Sequence, residues 1–537
     1  MRWKTVGVMM AILACCQPAS AKDTYDMGQV QVVGKDAQSD AFAPNPQDIS
    51  MSMGEKDTPL PDLLPEQAEP EALPLVEKAF PISAPRAKTD EVSLAIGRGG
   101  SGTQEYILRG KGSYNGYVGD IRLERSFHDG FNSFTDDKKY AAHAAITSLG
   151  EGSYELTTFG DLTGETFGQR GWRHLPTPDA KIRDTVRSIS AKGHATLSDG
   201  AFFQARARID SANRIAENSS ISYEEDDTLF SSEVEAEYQT DLRPNLKGKA
   251  GLELKKASWS PENANEQDLT KRSIAVSGEF DFKGRSYLEL GLKSMGLMGR
   301  DRTAPFLRYD YRWAKPWQFI LDYDERLQND DLMKIFMPRR YVATADLKAS
   351  HLKRTSGTIS YRWQDDTTFG LELFSEREND AIEYTDEYLP GRGLLASTLR
   401  FVPTARRTGT KIKGSFKLDD HFTLRAATTF QTPKNDDTGA RLSYEAKRLL
   451  DISFSYQNSR WEGEFSRQAM FDRIAYIPVA SVDAGDYSRS DLTLKYKVTP
   501  QIHAYVKIKD LYDEAKSIRY AVPEEGRVSL AGIEAHF

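Results

Sequence analysis

The stretch LRYDYRWAKPWQFILDY, residues 307–323, shows the pattern that decides the fold of this chain. Its first half puts Leu, Tyr, Tyr and Trp at odd positions and Arg, Asp and Arg at even ones, the period of two of a β-strand with unlike faces. Lys315 and Pro316 then turn the chain, and the second half returns with Trp, Phe, Leu and Tyr on one face. Only Ile320 interrupts the opposite, polar face. The stretch therefore predicts an antiparallel hairpin with one apolar and one ionic face.

The same alternation recurs in segments of about ten residues from residue 91 to the C-terminus. Clear copies lie at 234–238, 288–292, 359–363, 452–456 and 492–496. Strands of about ten residues with connections of similar length give roughly 22 strands over this span. Alternation alone fits a soluble sandwich, whose charged face meets water, as well as a membrane barrel, whose apolar face meets lipid.

The N-terminus has the features of a signal peptide over residues 1–21. Arg2 and Lys4 precede an apolar run at 5–16, and Ala-Ser-Ala at 19–21 offers a small-x-small cleavage site. A lipoprotein processed at Cys15 is the alternative. Both cysteines of the chain lie inside this segment, so the mature protein is expected to have no thiol, disulfide or cysteine metal site.

Beyond this segment the sequence contains no run of about 20 apolar residues, so we expect no transmembrane helix, and a membrane crossing would require a closed barrel. The export signal, the Trp and Tyr residues near strand ends and the alternation of short and long connections favour the membrane. The tight turns are at 198–200, 283–285, 315–316, 365–366 and 419–420, and the long polar connections at 161–184, 212–227, 258–271, 329–339 and 377–392. Short connections are expected to face the periplasm and long ones the exterior.

We therefore predict an all-β fold, a large antiparallel transmembrane β-barrel over residues 91–537 in the lipid of a Gram-negative outer membrane. Residues 35–90 are rich in proline and acidic side chains, which predicts a disordered periplasmic linker, although its short apolar clusters leave docking open. The formal net charge of −8 becomes −10 once Arg2 and Lys4 are removed, which argues against nucleic acid as a partner.

A search for chemistry predicts no catalytic residue, no metal site and no cofactor. The eight histidines lack ligand spacing such as His-x-x-x-His, and the chain contains no Gly-x-Ser-x-Gly elbow or phosphate-binding loop. An enzyme of the outer-membrane phospholipase or protease type is the minor alternative. The ionic face of 307–324 instead predicts a lumen lining, formed by Arg308, Asp310, Arg312, Asp322 and Asp324.

The last strand carries the features of a barrel-assembly signal read by the outer-membrane assembly machinery, with four residues on one face and an aromatic end: Ala531, Ile533, Ala535 and Phe537. Residues 491–500, 506–513 and 526–537 together resemble the last three strands of TonB-dependent outer-membrane receptors. The tetrapeptide at 510–513, Asp-Leu-Tyr-Asp, is similar to their Asn-Leu-Phe-Asp element, and Gly526-Arg527 to their Pro-Gly-Arg.

The mature N-terminus, residues 22–34, is similar to the TonB box of the same receptors. The residues that carry this similarity form an extended segment of alternating Val type: Asp26, Met27, Gly28, Gln29, Val30, Gln31, Val32 and Val33. Such a segment can add as a strand to the sheet edge of a periplasmic partner. The resemblance implies a TonB-like energy-transducing protein as that partner, and the alternative is a β-forming start without one.

The resemblance implies uptake or passage of a solute across the outer membrane. In the family a folded plug domain sits between the TonB box and the barrel, but here only residues 35–90 are available, too few and too proline-rich for a core of that kind. We therefore expect a barrel without a plug. The alternative is a non-transport barrel that anchors or assembles with a periplasmic or plugging partner protein.

Overall fold

The computed structural model describes residues 91–537 except 101, 115–116, 129–136, 150–153, 169–179, 198–200, 263–265, 283–284, 315, 329–340, 345–346, 365–366, 390, 392–393, 418–420, 478–479 and 514–525. The predicted signal peptide, TonB-box-like segment and linker thus lie outside the described residues. Among these residues the one helix is the short 3-10 turn Ser219–Ile221, and no helix is long and apolar enough to cross a membrane.

Twenty-two strands form the wall of the barrel. The first thirteen are β1 Glu91–Gly99, β2 Gln104–Tyr114, β3 Tyr117–His128, β4 Asp137–Leu149, β5 Tyr154–Gly168, β6 Ala180–Thr196, β7 Phe202–Asn218, β8 Tyr223–Arg243, β9 Leu246–Pro261, β10 Gln267–Phe282, β11 Ser286–Leu297, β12 Arg300–Ala314 and β13 Trp317–Gln328. The other nine are β15 Ser350–Gln364, β16 Thr367–Leu389, β17 Leu394–Lys417, β18 Phe422–Asn435, β19 Arg448–Gln457, β20 Trp461–Phe471, β23 Tyr487–Lys497, β24 Ile502–Lys509 and β25 Val528–His536. Three short strands lie outside the wall: β14 Tyr341–Thr344, β21 Ile474–Ile477 and β22 Ala480–Asp483.

The wall is closed because β1 pairs with β2 on one side and with β25 on the other, both antiparallel. Closure leaves no unpaired strand edge, so the backbone amides and carbonyls of the wall are satisfied without water. The predicted all-β class and the count of about 22 strands are confirmed.

The two faces of the wall are inverted relative to a soluble protein. Apolar side chains such as Ile189 and Leu373 point outward and are 66% and 59% exposed, whereas Glu289 and Lys293 point inward and are both 2% exposed. The inward charges are paired, as Lys293 Nζ is 2.7 Å from an oxygen of Asp324. Burial of charges is tolerated when such partners are present. An apolar outside and an ionic inside are the expected faces of a barrel in lipid.

The two ends of the barrel differ. The turn rim carries tight connections, including 244–245 and 458–460, and the chain enters the wall there at Glu91. The opposite end is the hairpin rim. There the predicted long connections at 212–227 and 377–392 are wrong and 258–271 is mostly strand, whereas 329–339 lies outside the described residues. β8 begins at Tyr223, and β16 runs on to Leu389. Their polar side chains resemble a loop in composition, yet cross-strand pairing continues because it satisfies the backbone.

Candidate functional site

The β16–β17 hairpin is the longest of the barrel and extends past its neighbours. Its pairing with β15 stops at Asn379 and its pairing with β18 stops at Ala405, while the two strands remain paired with each other as far as Leu389 and Leu394. We call residues 380–403 the cap hairpin. It is flanked by β14, which pairs with β17, and by β21, which bridges to β16.

The cap hairpin begins at a break in the ladder. Asp380 has a φ of 59°, a left-handed conformation that aspartate tolerates better than most residues. Pro403 stands opposite it in register and has no amide to donate. A carboxylate oxygen of Asp380 lies 2.8 Å from Nη2 of Arg300, whose Nη1 donates to the carbonyl of Ala349 at 2.8 Å. The bend is thereby fixed to the β11–β12 turn.

The tip of the cap hairpin packs against a distant part of the wall. Leu394 and Ala396 form one buried cluster with Ala180 and Ile182 of β6 and Ala216 of β7. Leu394 and Ile182 are both 0% exposed. Strands β8–β13 and β15 separate β7 from β16 in the wall, so this contact spans the mouth of the barrel.

Between bend and tip, the cap hairpin lies on an apolar shelf. Tyr384 is buried in a cluster with lumen-facing residues of the intervening wall, among them Leu229, Trp259 and Leu269. Leu399 packs against the same cluster. Burial of such side chains stabilises the docked position by about 1.5–3 kcal/mol each.

The other side of the cap hairpin is held by the connection between β18 and β19. The backbone amide of Ser443 donates to Glu383 at 2.7 Å, and the Tyr444 hydroxyl donates to Asp386. Asp386 also accepts from the Ser397 hydroxyl at 2.6 Å, within the hairpin itself. These bonds give buried carboxylates the partners that they need.

Glu383 lies above the wall, among these contacts. Burial raises the pKa of its carboxyl above the ordinary value of 4.5, although the Ser443 amide and the nearby Arg400 act in the opposite direction and Glu445 adds to the rise. Arg400 Nε is 3.6 Å from a Glu383 oxygen. The docked cap therefore favours the protonated form of this side chain.

A buried ion cluster anchors the base of the cap hairpin. Arg407 of β17 donates to Glu445 at 2.7 and 2.9 Å and to Glu378 of β16 at 2.8 Å, and all three side chains are buried. A planar guanidinium suits such paired carboxylates. The cluster thus joins the wall to the connection that holds the cap hairpin.

The five predicted lumen residues share the inward face of β12 and β13. Arg308 Nη1 is 3.8 Å from Asp322, Asp310 accepts from Gln318 at 2.7 Å, and Asp324 accepts from Lys293. Arg312 is exposed near the turn rim. These residues form paired contacts along the wall, and the cap hairpin lies farther along, towards the hairpin rim.

At the C-terminus, the predicted assembly residues Ala531, Ile533, Ala535 and Phe537 share the outward face of β25, and Ile533 and Phe537 are exposed. The two receptor-like elements meet in space. Arg527 N donates to Asp513 Oδ1 at 2.7 Å, and a Cβ added to Gly526 would lie 2.5 Å from the same oxygen. A side chain at position 526 would force the Asp513 carboxylate to shift.

The predicted TonB-box residues, Asp26–Val33, lie outside the described residues. Sequence reasoning missed the cap hairpin. It also missed a histidine cluster at the seam of the barrel.

No family model matches the chain, and no curated protein matches its sequence. Solved structures do match it. The FrpB iron transporter from Neisseria meningitidis (F3-3 variant) is 12% identical, with a TM-score of 0.66 over 84% of this chain and 82% of that one. The ferripyoverdine receptor of the outer membrane of Pseudomonas aeruginosa is 11% identical, with a TM-score of 0.65 over 83% and 72%. The copper transporter OprC is 13% identical, with a TM-score of 0.61 over 84% and 80%.

At sequence identities this low, the structural similarity establishes the fold alone. The chain therefore has the 22-stranded barrel fold of the TonB-dependent receptors.

Proposed function

We propose that this protein is an outer-membrane barrel of the TonB-dependent receptor type that takes part in uptake or passage of a solute, and that the cap hairpin closes its mouth at rest. In this proposal residues 1–21 are removed on export, and the turn rim and the N-terminus face the periplasm. Residues 26–33 bind a TonB-like energy-transducing protein. The outer-membrane assembly machinery inserts the barrel through its C-terminal strand.

The observation that carries the proposal is the buried contact of Leu394 and Ala396 with Ile182 across the mouth. A barrel of 22 strands leaves a lumen that wall side chains cannot fill. Something must occlude that lumen if the outer membrane is to stay a barrier, and the cap hairpin lies where it would do so. The solute itself is not specified by these contacts.

Opening then requires that the cap hairpin leave β6 and β7. The hairpin is attached to the wall at both Asn379 and Ala405, and its ladder is broken at Asp380. A hinge at that level lets residues 381–402 move as a unit while the wall stays paired. A solute or a periplasmic partner opens the barrel only if it binds the open state more tightly than the closed one.

Conductance in planar bilayers tests the proposal. Three forms of the purified protein are compared: the full chain, a variant with residues 382–401 replaced by a two-residue turn, and a control lacking residues 262–266 of another connection on the hairpin rim. The full chain and the control should conduct little, and the cap deletion should give a wide, permanently open channel.

Two outcomes would contradict the proposal that the cap hairpin closes the mouth. A full chain that is already wide open would show that the hairpin does not close the lumen. A cap deletion that stays closed would place the linker or a plugging partner in the lumen, which favours the alternative of a barrel that anchors another protein.

The proposed coupling to a TonB-like protein is tested separately. Removal of residues 26–34 should abolish energy-dependent uptake once a transported solute has been found, while the conductance of the cap deletion should persist. Uptake that survives the removal rules out a TonB-like partner at this segment.

A further inference from the structure

Two histidines and a glutamate face one another on the lumen side of the wall, near the turn rim and beside the strand pair that closes the barrel. His503 of β24 lies directly opposite Glu534 of β25, and His536 follows Glu534 on the same face. His536 Nε2 is 2.9 Å from one oxygen of Glu534, and His503 Nδ1 is 3.6 Å from the other. One ligand atom from each residue can be chosen so that all three lie within 4.8 Å of one another.

Two ring nitrogens that converge there make no hydrogen bond of acceptable geometry within the part of the chain that the structure describes. They are His503 Nδ1 and His536 Nε2, both buried, and they lie 3.6 and 2.9 Å from oxygens of Glu534, whose Oε2 is ion-paired with Lys495. Buried polar atoms almost always have a hydrogen-bond partner, because an atom that loses its water and gains no other partner is left with the full cost of desolvation. Two such nitrogens directed at one carboxylate are an arrangement that a bound cation would satisfy.

The chemistry of the donors defines the cation. Two imidazole nitrogens and a carboxylate oxygen are ligands typical of Zn²⁺ and of similar divalent transition ions, and they leave one or more coordination positions for water. Glu91 Oε1 lies 3.3 Å from His536 Nδ1, the ring nitrogen farther from the cluster. A carboxylate in that position holds the ring in the orientation and tautomer for metal binding.

A competing charge is also present. The ammonium group of Lys495 forms an ion pair with Glu534 from the neighbouring strand β23. A cation at the cluster would be repelled by this ammonium and would share the carboxylate with it, so Lys495 limits the affinity.

We propose that His503, Glu534 and His536 bind a divalent ion of the zinc class, with Glu91 orienting His536 and Lys495 lowering the affinity. The ion joins β24 to β25 and, through Glu91, to β1. It therefore ties together the three strands at the closing seam of the barrel. This site lies at the turn rim, and the proposal does not depend on the cap hairpin or on transport.

Calorimetric titration of the full mature chain with ZnCl₂, in detergent and without a histidine tag, measures the site directly. We expect one equivalent to bind near pH 7.5. His503→Ala, His536→Ala and Glu534→Gln should each weaken binding at least tenfold, and Glu91→Gln about tenfold. Lys495→Met should strengthen it, which a role in general stability would not predict. His421→Ala, at the same rim, should bind as the wild type does.

A second readout uses Co²⁺, whose visible absorption reports nitrogen and oxygen ligation. The spectrum should appear with the wild type and disappear with His503→Ala. Folding of each variant is checked by heat-modifiable migration on gels, and if His536→Ala fails to insert, His503→Ala carries the test. Absence of Zn²⁺ binding in the wild type, or equal binding by the folded histidine variants, overturns the proposal and leaves an ion-pair cluster of Lys495, Glu534 and the histidines.

Discussion

Asp380 stands opposite Pro403 at the level where the β16–β17 hairpin leaves the wall of the barrel. One residue has a left-handed backbone, and the other cannot donate a ladder hydrogen bond. Together they interrupt a hairpin whose pairing is otherwise continuous from Thr368 to Leu389. The break is what lets the outer part of the hairpin turn across the mouth instead of extending the wall.

Replacement of Asp380 tests the importance of this backbone. Asp380→Val places a β-branched residue at a φ of 59°, which costs about 1–3 kcal/mol, whereas Asp380→Gly adopts the same φ without strain. Both variants lose the contact with Arg300, so their difference isolates the backbone. Asp380→Val should release the cap hairpin, measured as faster proteolytic cleavage within residues 381–402. Equal cleavage of the two variants would refute the role of the left-handed bend.

The contact at the tip can be broken from the wall side. Ile182→Asp removes about 1.5–3 kcal/mol of apolar burial and puts a carboxylate into a site with no exposure. We expect the mouth to open, with bilayer conductance approaching that of the cap deletion. Thr185→Asp, three residues along on the outward face of β6, is the matched control and should stay closed. An Ile182→Asp variant that remains closed would mean that the tip does not seal the mouth.

The ion cluster at the base of the cap hairpin predicts that replacement of Arg407 lowers the free energy of unfolding. Arg407→Met leaves Glu378 and Glu445 buried without their cation, at a cost of about 3–5 kcal/mol. Arg407→Lys keeps the charge but loses the paired geometry, so its free energy of unfolding should lie between those of the wild type and Arg407→Met. Arg406→Met, at the exposed neighbouring position, should cost no more than about 1 kcal/mol. Denaturant unfolding in detergent measures the three, and equal losses at the two positions would contradict the cluster's role.

How much of this could be read from the sequence depends on the range of each contact. The alternation at 307–323 gave the wall, because the side chains that matter there are neighbours in one hairpin. The docking of Leu394 on Ile182 joins residues that are far apart in the chain, and no local pattern encodes that complementarity. Polar residues such as Glu383 and Asp386 further disguised the cap hairpin as a loop.

The histidine cluster was missed for a related reason. A search for His-x-x-x-His looks for ligands on one helix, whereas here His503 comes from one strand and His536 from the next. Glu534 and His536 are two residues apart, which in a strand places both on one face. That spacing, together with a histidine on the preceding strand, was the available signal.

The pH dependence of the closed state follows from Glu383. Its pKa is raised in the docked cap, so the docked state binds a proton more tightly than the released state, and docking weakens as the pH rises from about its ordinary value of 4.5. The closed fraction of channels should therefore fall as the pH rises above about 4.5. Glu383→Gln resembles the protonated side chain and can still accept from Ser443, so it should hold the mouth closed across this range.

Glu387→Gln, four residues along the same strand, provides the control for this change in charge and should keep the wild-type slope. The measurement is the open probability in planar bilayers at each pH, with both sides buffered alike. A Glu383→Gln variant with an unchanged slope would assign the dependence to another group. A wild type that closes more tightly as the pH rises would reverse the sign and contradict the buried, proton-favouring environment of Glu383.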